Sequence, residues 1–236
     1  MSLTELRYTV LQVVNEVFRR VSLNEVGTLT ANKLSREMVD HINDTVSDLS
    51  DYGNWQETLV TANITAQSSV ANYSINTSAV VKNIGDVFLS TRAGPLLAVS
   101  VDEMRIMTRV TARGNPTQYS VFGVDAQGNP NIRFRPTPVS GNLPATFSIL
   151  YYIKPPMYTT ADASVVIPFP ARVVVAGTIA RYLLAESEGA PTEQYKMYYN
   201  DYLEGRKTSL NRYNFDTGFN IAFTPGQAGR RSGRWR

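Results

Sequence analysis

Cysteine is absent from this chain of 236 residues, and histidine occurs once. The first absence excludes disulfides and thiolate chemistry, and it leaves compartment unreadable from redox arguments. The second leaves His41, beside Asp40 and Asp44, as the sole imidazole. A metal or catalytic role would need further ligands converging on it, and no His or Cys spacing supplies them, so His41 reads as a surface histidine. There is no Gly-rich loop ending in Lys-Ser/Thr to cradle a phosphate, and no Gly-x-Ser-x-Gly elbow. An acid pair assembled from distant Asp and Glu residues stays open. No apolar run approaches eighteen residues, and the first residues lack a basic segment followed by an apolar one, so neither export nor a membrane is expected. Asn-X-Ser/Thr triplets at Asn43, Asn63, Asn72 and Asn76 fit glycosylation formally, but without a secretory signal they read as chance matches. The expectation is a protein without catalytic residues, metal or cofactor.

What is present is unevenly placed charge. The chain has 23 basic and 20 acidic residues, and four of the arginines, Arg230, Arg231, Arg234 and Arg236, fall in the last seven positions. Without them 19 basic residues face the 20 acids, so the body is near neutral and the positive excess sits at the end. Phe219, Ile221 and Phe223, just before, are spaced two apart, the period of an extended strand with one apolar face. Ordering some twenty residues costs roughly 1–2 kcal/mol each in backbone entropy, which so few apolar side chains do not offset without another surface. Residues 215–236 therefore read as an extended docking arm, with Phe215, Phe219, Ile221, Phe223, Arg230, Arg231, Arg234 and Trp235 as its contact residues.

The rest divides by period. Ser2 and Glu5 form a capping box ahead of a helix over 2–22, with Leu6, Val10, Val13, Val17 and Val21 on one face. Gly27 breaks it, Thr30 can cap a second helix, and Leu34, Met38, Ile42 and Leu49 recur up to Gly53. Runs rich in Val, Ile, Thr, Tyr and Phe then predict strands at 57–66, 70–75, 80–90, 118–124, 130–135 and 145–153, with a hairpin turn at Asp125–Asn129. The stretch Val101–Thr108 fits a short helix or a strand. Pro170 suits the first position of a third long helix and Gly189 its exit, with Gly177 permitting close approach of a neighbour. Pro191 and Glu193 open a last helix. The expected fold is α+β: a four-helix unit formed by both chain ends (1–54 and 168–214), an inserted antiparallel β subdomain (55–167) and the C-terminal arm.

Two stripes stand out on these helices. Asp40, Asp44, Asp48 and Asp51 lie along one side of the second helix, and like charges at that spacing cost a few tenths of a kcal/mol per pair. They read as a solvated face, or as acids lining a channel or meeting a basic partner. Tyr195, Tyr198, Tyr199 and Tyr202 read as a core stripe, or, for Tyr195, Tyr198 and Tyr202, as a subunit interface.

Certain stretches, in their order, resemble one known family. They are Gly114–Gly123 (GNPTQYSVFG), Asn131–Pro138 (NIRFRPTP), Tyr151–Pro156 (YYIKPP), Val166–Pro168 (VIP) and Arg181–Ala185 (RYLLA) ahead of the tyrosine stripe. Together they resemble the head-to-tail adaptor, or connector, proteins of tailed double-stranded DNA bacteriophages, especially the short-tailed type. One departure is Tyr73-Ser74-Ile75-Asn76, where similar proteins tend to place Leu-Pro after the tyrosine, which leaves the local turn open. The resemblance implies a structural virion protein of the neck, assembled in the host cytoplasm. It implies a ring of twelve copies joining the portal protein to a tail or nozzle protein, its arm docked on the portal. Genomic double-stranded DNA would pass through the channel without sequence-specific binding. The rival is a nucleic-acid-binding module, in which a β barrel presents Arg133, Arg135 and aromatics to single strands and the basic tail clamps them. Four phosphate contacts from the tail would give a salt slope of only about −3.6.

Overall fold

Residues 6–142 and 144–216 are described by a computed structural model. The first helix, α1 (Val10–Arg20), starts eight residues later than its apolar spacing suggests. Leu6–Thr9 are taken up otherwise: Ile167 N–H donates to Tyr8 O at 3.0 Å and Ala171 N–H to Leu6 O at 2.9 Å, and Thr9 bridges Val166. This pairing competes with helix, and Thr9 becomes the cap, its hydroxyl accepting from Gln12 N–H while Gln12 Oε1 accepts from Thr9 N–H. Ser2 and Glu5 lie outside the described residues. Val10, Val13 and Val17 are buried as their period requires, whereas Leu6 is exposed. The second helix, α2 (Lys33–Tyr52), is capped by Asn32 rather than Thr30, with Asn32 Oδ1 accepting from Ser35 N–H at 2.7 Å. Met38, Ile42 and Leu49 are buried, and the helix stops at Gly53.

A 3-10 turn (Gln56–Thr58) leads into strands β1 (Leu59–Thr65), β2 (Asn72–Ser74), β3 (Val80–Leu89) and β4 (Leu97–Ala98). Then come a short helix α3 (Val101–Met107) and strands β5 (Gln118–Val124), β6 (Pro130–Arg135) and β7 (Thr146–Lys154). Six of these strands lie where alternation placed them. β4, with two residues, is too short to show a period. Ser100 and Glu103 form a capping box that commits Val101–Met107 to helix. One sheet is antiparallel, in the order β1-β7-β3; the other, β2-β6-β5-β4, is mixed because β4 runs parallel to β5.

Both sheets feed one apolar core. Phe134 of β6 stacks on Phe147 of β7 at 3.7 Å between centroids, and Tyr73 meets each ring edge-on at 5.6 Å. Tyr119 O–H donates across to Gly85 O at 2.9 Å. The turn after Tyr73 is held without Leu-Pro: Ile75 is buried, its N–H donating to Pro130 O. Asp125 organises the β5–β6 hairpin by accepting from the N–H groups of Gln127 and Asn129. Desolvation works against its charge, but those bonds, with the Asn129 side chain, hold its carboxyl below the usual range.

The last two helices are α4 (Ala171–Glu186) and α5 (Glu193–Asp216). Pro170 sits one place earlier than predicted, as the cap of α4, its carbonyl accepting from Val173 and Val174. Gly189, at φ +86°, closes α4 with its N–H on Leu184 O. Buried residues of α1, α2 and α4, with Tyr202 of α5, share a second core that also takes in Trp55, Tyr158, Ile167 and Phe169. At Gly177 of α4 a Cβ would stand 2.6 Å from Thr45 Cγ2 and 2.8 Å from Tyr202 Cδ2, so only glycine lets α2 and α5 come this close.

The two cores are joined through backbone atoms near the end of α2. That helix has no basic residue in its last turn, so its terminal carbonyls need donors from elsewhere. Trp55 Nε1 donates to Leu49 O at 2.6 Å, and Lys82 Nζ, from β3, donates to Gly53 O at 2.6 Å and to Ser50 O. Asn43, further back on α2, both donates to Tyr158 O (2.9 Å) and accepts from Tyr158 N–H (2.7 Å). The Asn43 amide is thereby buried and occupied.

Candidate functional site

Helix α2 carries the acidic stripe, and its four members sit in different surroundings. Asp40 and Asp44 are exposed and make no ion pair among the described residues. Asp51 lies 3.4 Å from Lys154 Nζ. Asp48 turns inward between α4 and α5, where its Oδ2 accepts from Arg181 (3.4 Å), Arg206 (3.3 Å) and the hydroxyl of Tyr202. Arg206 also lies over the rings of Tyr52 and Tyr202, at 4.3 and 5.3 Å from their centroids. Asp48 is therefore an internal tie, and a channel-facing surface on α2 would be carried by Asp40 and Asp44.

The tyrosine stripe divides in the same way. Tyr202 is fully buried in its own chain's core and is not available to a neighbouring subunit, a correction that follows from Gly177 opening space for its ring. Burial, and then the hydrogen bond and charge of Asp48, push its hydroxyl well above the ordinary tyrosine range. Tyr195 and Tyr198 are half-buried; Tyr195 stacks on the more exposed Tyr199 at 5.4 Å.

His41 is half-buried, and desolvation lowers its pKa against the raising charges of Asp44 and Asp40. Among the described residues no three His, Cys, Asp or Glu side chains come together to hold a metal. A cleft of about 280 Å³ opens between α1, α4 and α5, lined by Arg20, Arg172, Ala176, Asp201, Glu204 and Gly205. On β6, Phe134 is buried under Phe147, so the strand offers a nucleic acid Arg133 and Arg135 without the aromatic. Arg135 moreover donates to Val110 O.

Of the arm residues, Phe215 falls within the last turn of α5, whose backbone continues to Asp216. Phe219, Ile221, Phe223, Arg230, Arg231, Arg234 and Trp235 lie outside the described residues. Sequence reading missed Arg181, Arg206, Lys82 and Asn43 as organising residues. Partners 133 and 158 residues away from Asp48 leave no local signal. Only the conspicuous Asp48 itself could have prompted a search for cations.

The described residues define an α+β protein whose helical and sheet cores are tied together at the end of α2. A family model described as SU10 adaptor protein matches residues 8–222, and the chain belongs to that family. A structural connector role in a tailed bacteriophage follows, at the neck of the virion and in contact with portal and tail proteins. Comparison with curated protein sequences gave no match. Among the described residues no helix is long and apolar enough to cross a membrane.

Proposed function

We propose that this adaptor assembles as a ring, of the twelve copies that the resemblance implies, on the tail-facing end of the portal. The family match over residues 8–222 carries this reading. In it, the helices built from both chain ends form a four-helix unit that packs side by side around the ring, and the inserted β subdomain projects toward the tail. The arm, Phe215–Trp235, docks on the portal. Tyr195 and Tyr198 take part in contacts between copies. Asp40 and Asp44 face the channel, where like charge keeps double-stranded DNA from adhering during passage.

The near-neutral body and the arginine-rich end support attachment through the end and passage past the body. An arm that pays its ordering cost on docking binds weakly alone, but a symmetric platform raises the effective concentration of neighbouring copies. The free protein is then a monomer or small oligomer, and the ring forms on the portal. Electron microscopy of the protein with its candidate portal, beside the protein alone, tests this: a ring added at one end of the portal is the expected result. No added density, together with retained binding of single-stranded DNA, would transfer the function to the nucleic-acid module.

A further inference from the structure

Four strands end the two sheets, and three of them are protected as edges usually are, since a row of unpaired N–H and C=O groups recruits other chains. β2 has three residues and β4 two. β3 carries Lys82 and Asp86 and two register breaks, and its far end is covered where Pro95 bridges Phe88 and Leu96 N–H donates to Val87 O. Among the described residues β1 has no such device. Its seven residues, LVTANIT, carry no charge, glycine or proline and pair with β7 without a break. Val60, Ala62 and Ile64 face the inter-sheet core but are only half-buried, so the apolar layer stops short on this side. Thr61, Asn63 and Thr65, on the other face, are exposed.

We propose that the free edge of β1 is a docking site for an extended segment, and that in the free protein its occupant is residues 217–223 of the same chain. Length, period and position agree. The segment TGFNIAF has seven residues, as β1 has, and Pro225 stands just beyond it, where a ladder ends. Phe219, Ile221 and Phe223 alternate with Gly218, Asn220 and Ala222, so an added strand puts its large apolar side chains beside Val60, Ala62 and Ile64 and its small and polar ones beside Thr61, Asn63 and Thr65. Position follows from α5, whose Leu210 packs on Gly53. From Gly53 the chain passes through the turn at 56–58 directly into β1, so the Leu210 turn of α5 packs on the segment that leads into that strand. The arginines from Arg230 onward remain outside the pairing.

This assignment concerns the free subunit and stands without the portal reading, because it is tested with no portal present. The measurement is hydrogen exchange on the full chain in solution, beside the full chain carrying Phe219→Ser, Ile221→Ser and Phe223→Ser together. Amides of 217–223 are expected to exchange about tenfold or more slowly than in a free peptide, and the triple variant to lose this protection there and in the outward amides of β1, with β6 unchanged. Exchange of 217–223 at the free-peptide rate overturns the proposal. Protection that grows with protein concentration overturns the same-chain assignment and gives the edge to a second copy's arm.

Discussion

Asp48 shows how much a single carboxylate can organise when its partners come from two other helices. With two guanidinium groups and a phenol converging on Oδ2, it ties α2 to α4 and α5, and removing it leaves Arg181 and Arg206 half-buried without their acceptor. Asp48 is partly exposed, so solvent screening discounts the loss: Asp48→Ala is expected to cost about 1–3 kcal/mol, and Asp40→Ala within about 0.5 kcal/mol of nothing, in urea unfolding. Tyr158 gives a second residue-level expectation. Burial, with Asp162 nearby, raises its pKa to about 12, and burial raises Tyr202 as well. A folded pKa above the unfolded value near 10 means that this stability is complete below pH 10 and is lost as pH rises toward about 12. Unfolding monitored with tyrosinate absorbance should therefore show stability falling across that window, less steeply in Tyr158→Phe. Asp125 acts at the opposite end: its lowered pKa stabilises the hairpin above its ordinary value of 3.8, and this is lost as pH falls below it.

Among the elements, what could be read in the sequence was whatever repeats. Strand alternation placed β1, β3, β5, β6 and β7 to within a residue or two, and Gly177 was identified as a point of close approach before its neighbours were known. Position-specific competition was less readable. The start of α1 moved because Leu6–Thr9 pair with the segment leading into α4, and such pairing across the chain has no local period. Asp40, Asp44, Asp48 and Asp51 look equivalent on a helical wheel, yet Arg181 and Arg206 separate them. Gly177→Ala tests the helix packing directly: its methyl group would overlap Thr45 and Tyr202, for an expected loss of about 1–3 kcal/mol in urea unfolding. Gly141, around which a Cβ meets nothing within 4 Å, is the control.

For the molecule as a whole, attachment should be separable from folding. Deleting residues 218–236 is expected to leave a body with an unchanged helical signal in far-ultraviolet circular dichroism while portal attachment falls below detection in co-sedimentation; normal attachment would remove the arm from that role. The joint between the two cores has an effect of another kind. Lys82, Trp55 and Asn43 all grip main-chain atoms, of Ser50, Gly53, Leu49 and Tyr158, and every amino acid but proline presents those atoms. The constraint at this seam therefore falls unevenly on its residues. Three gripping side chains are held to their chemistry, whereas at Leu49, Gly53 and Tyr158 the bonds ask nothing of the side chain and packing alone restrains it, so a relative that repacks those positions could keep the same join between its helical and β halves.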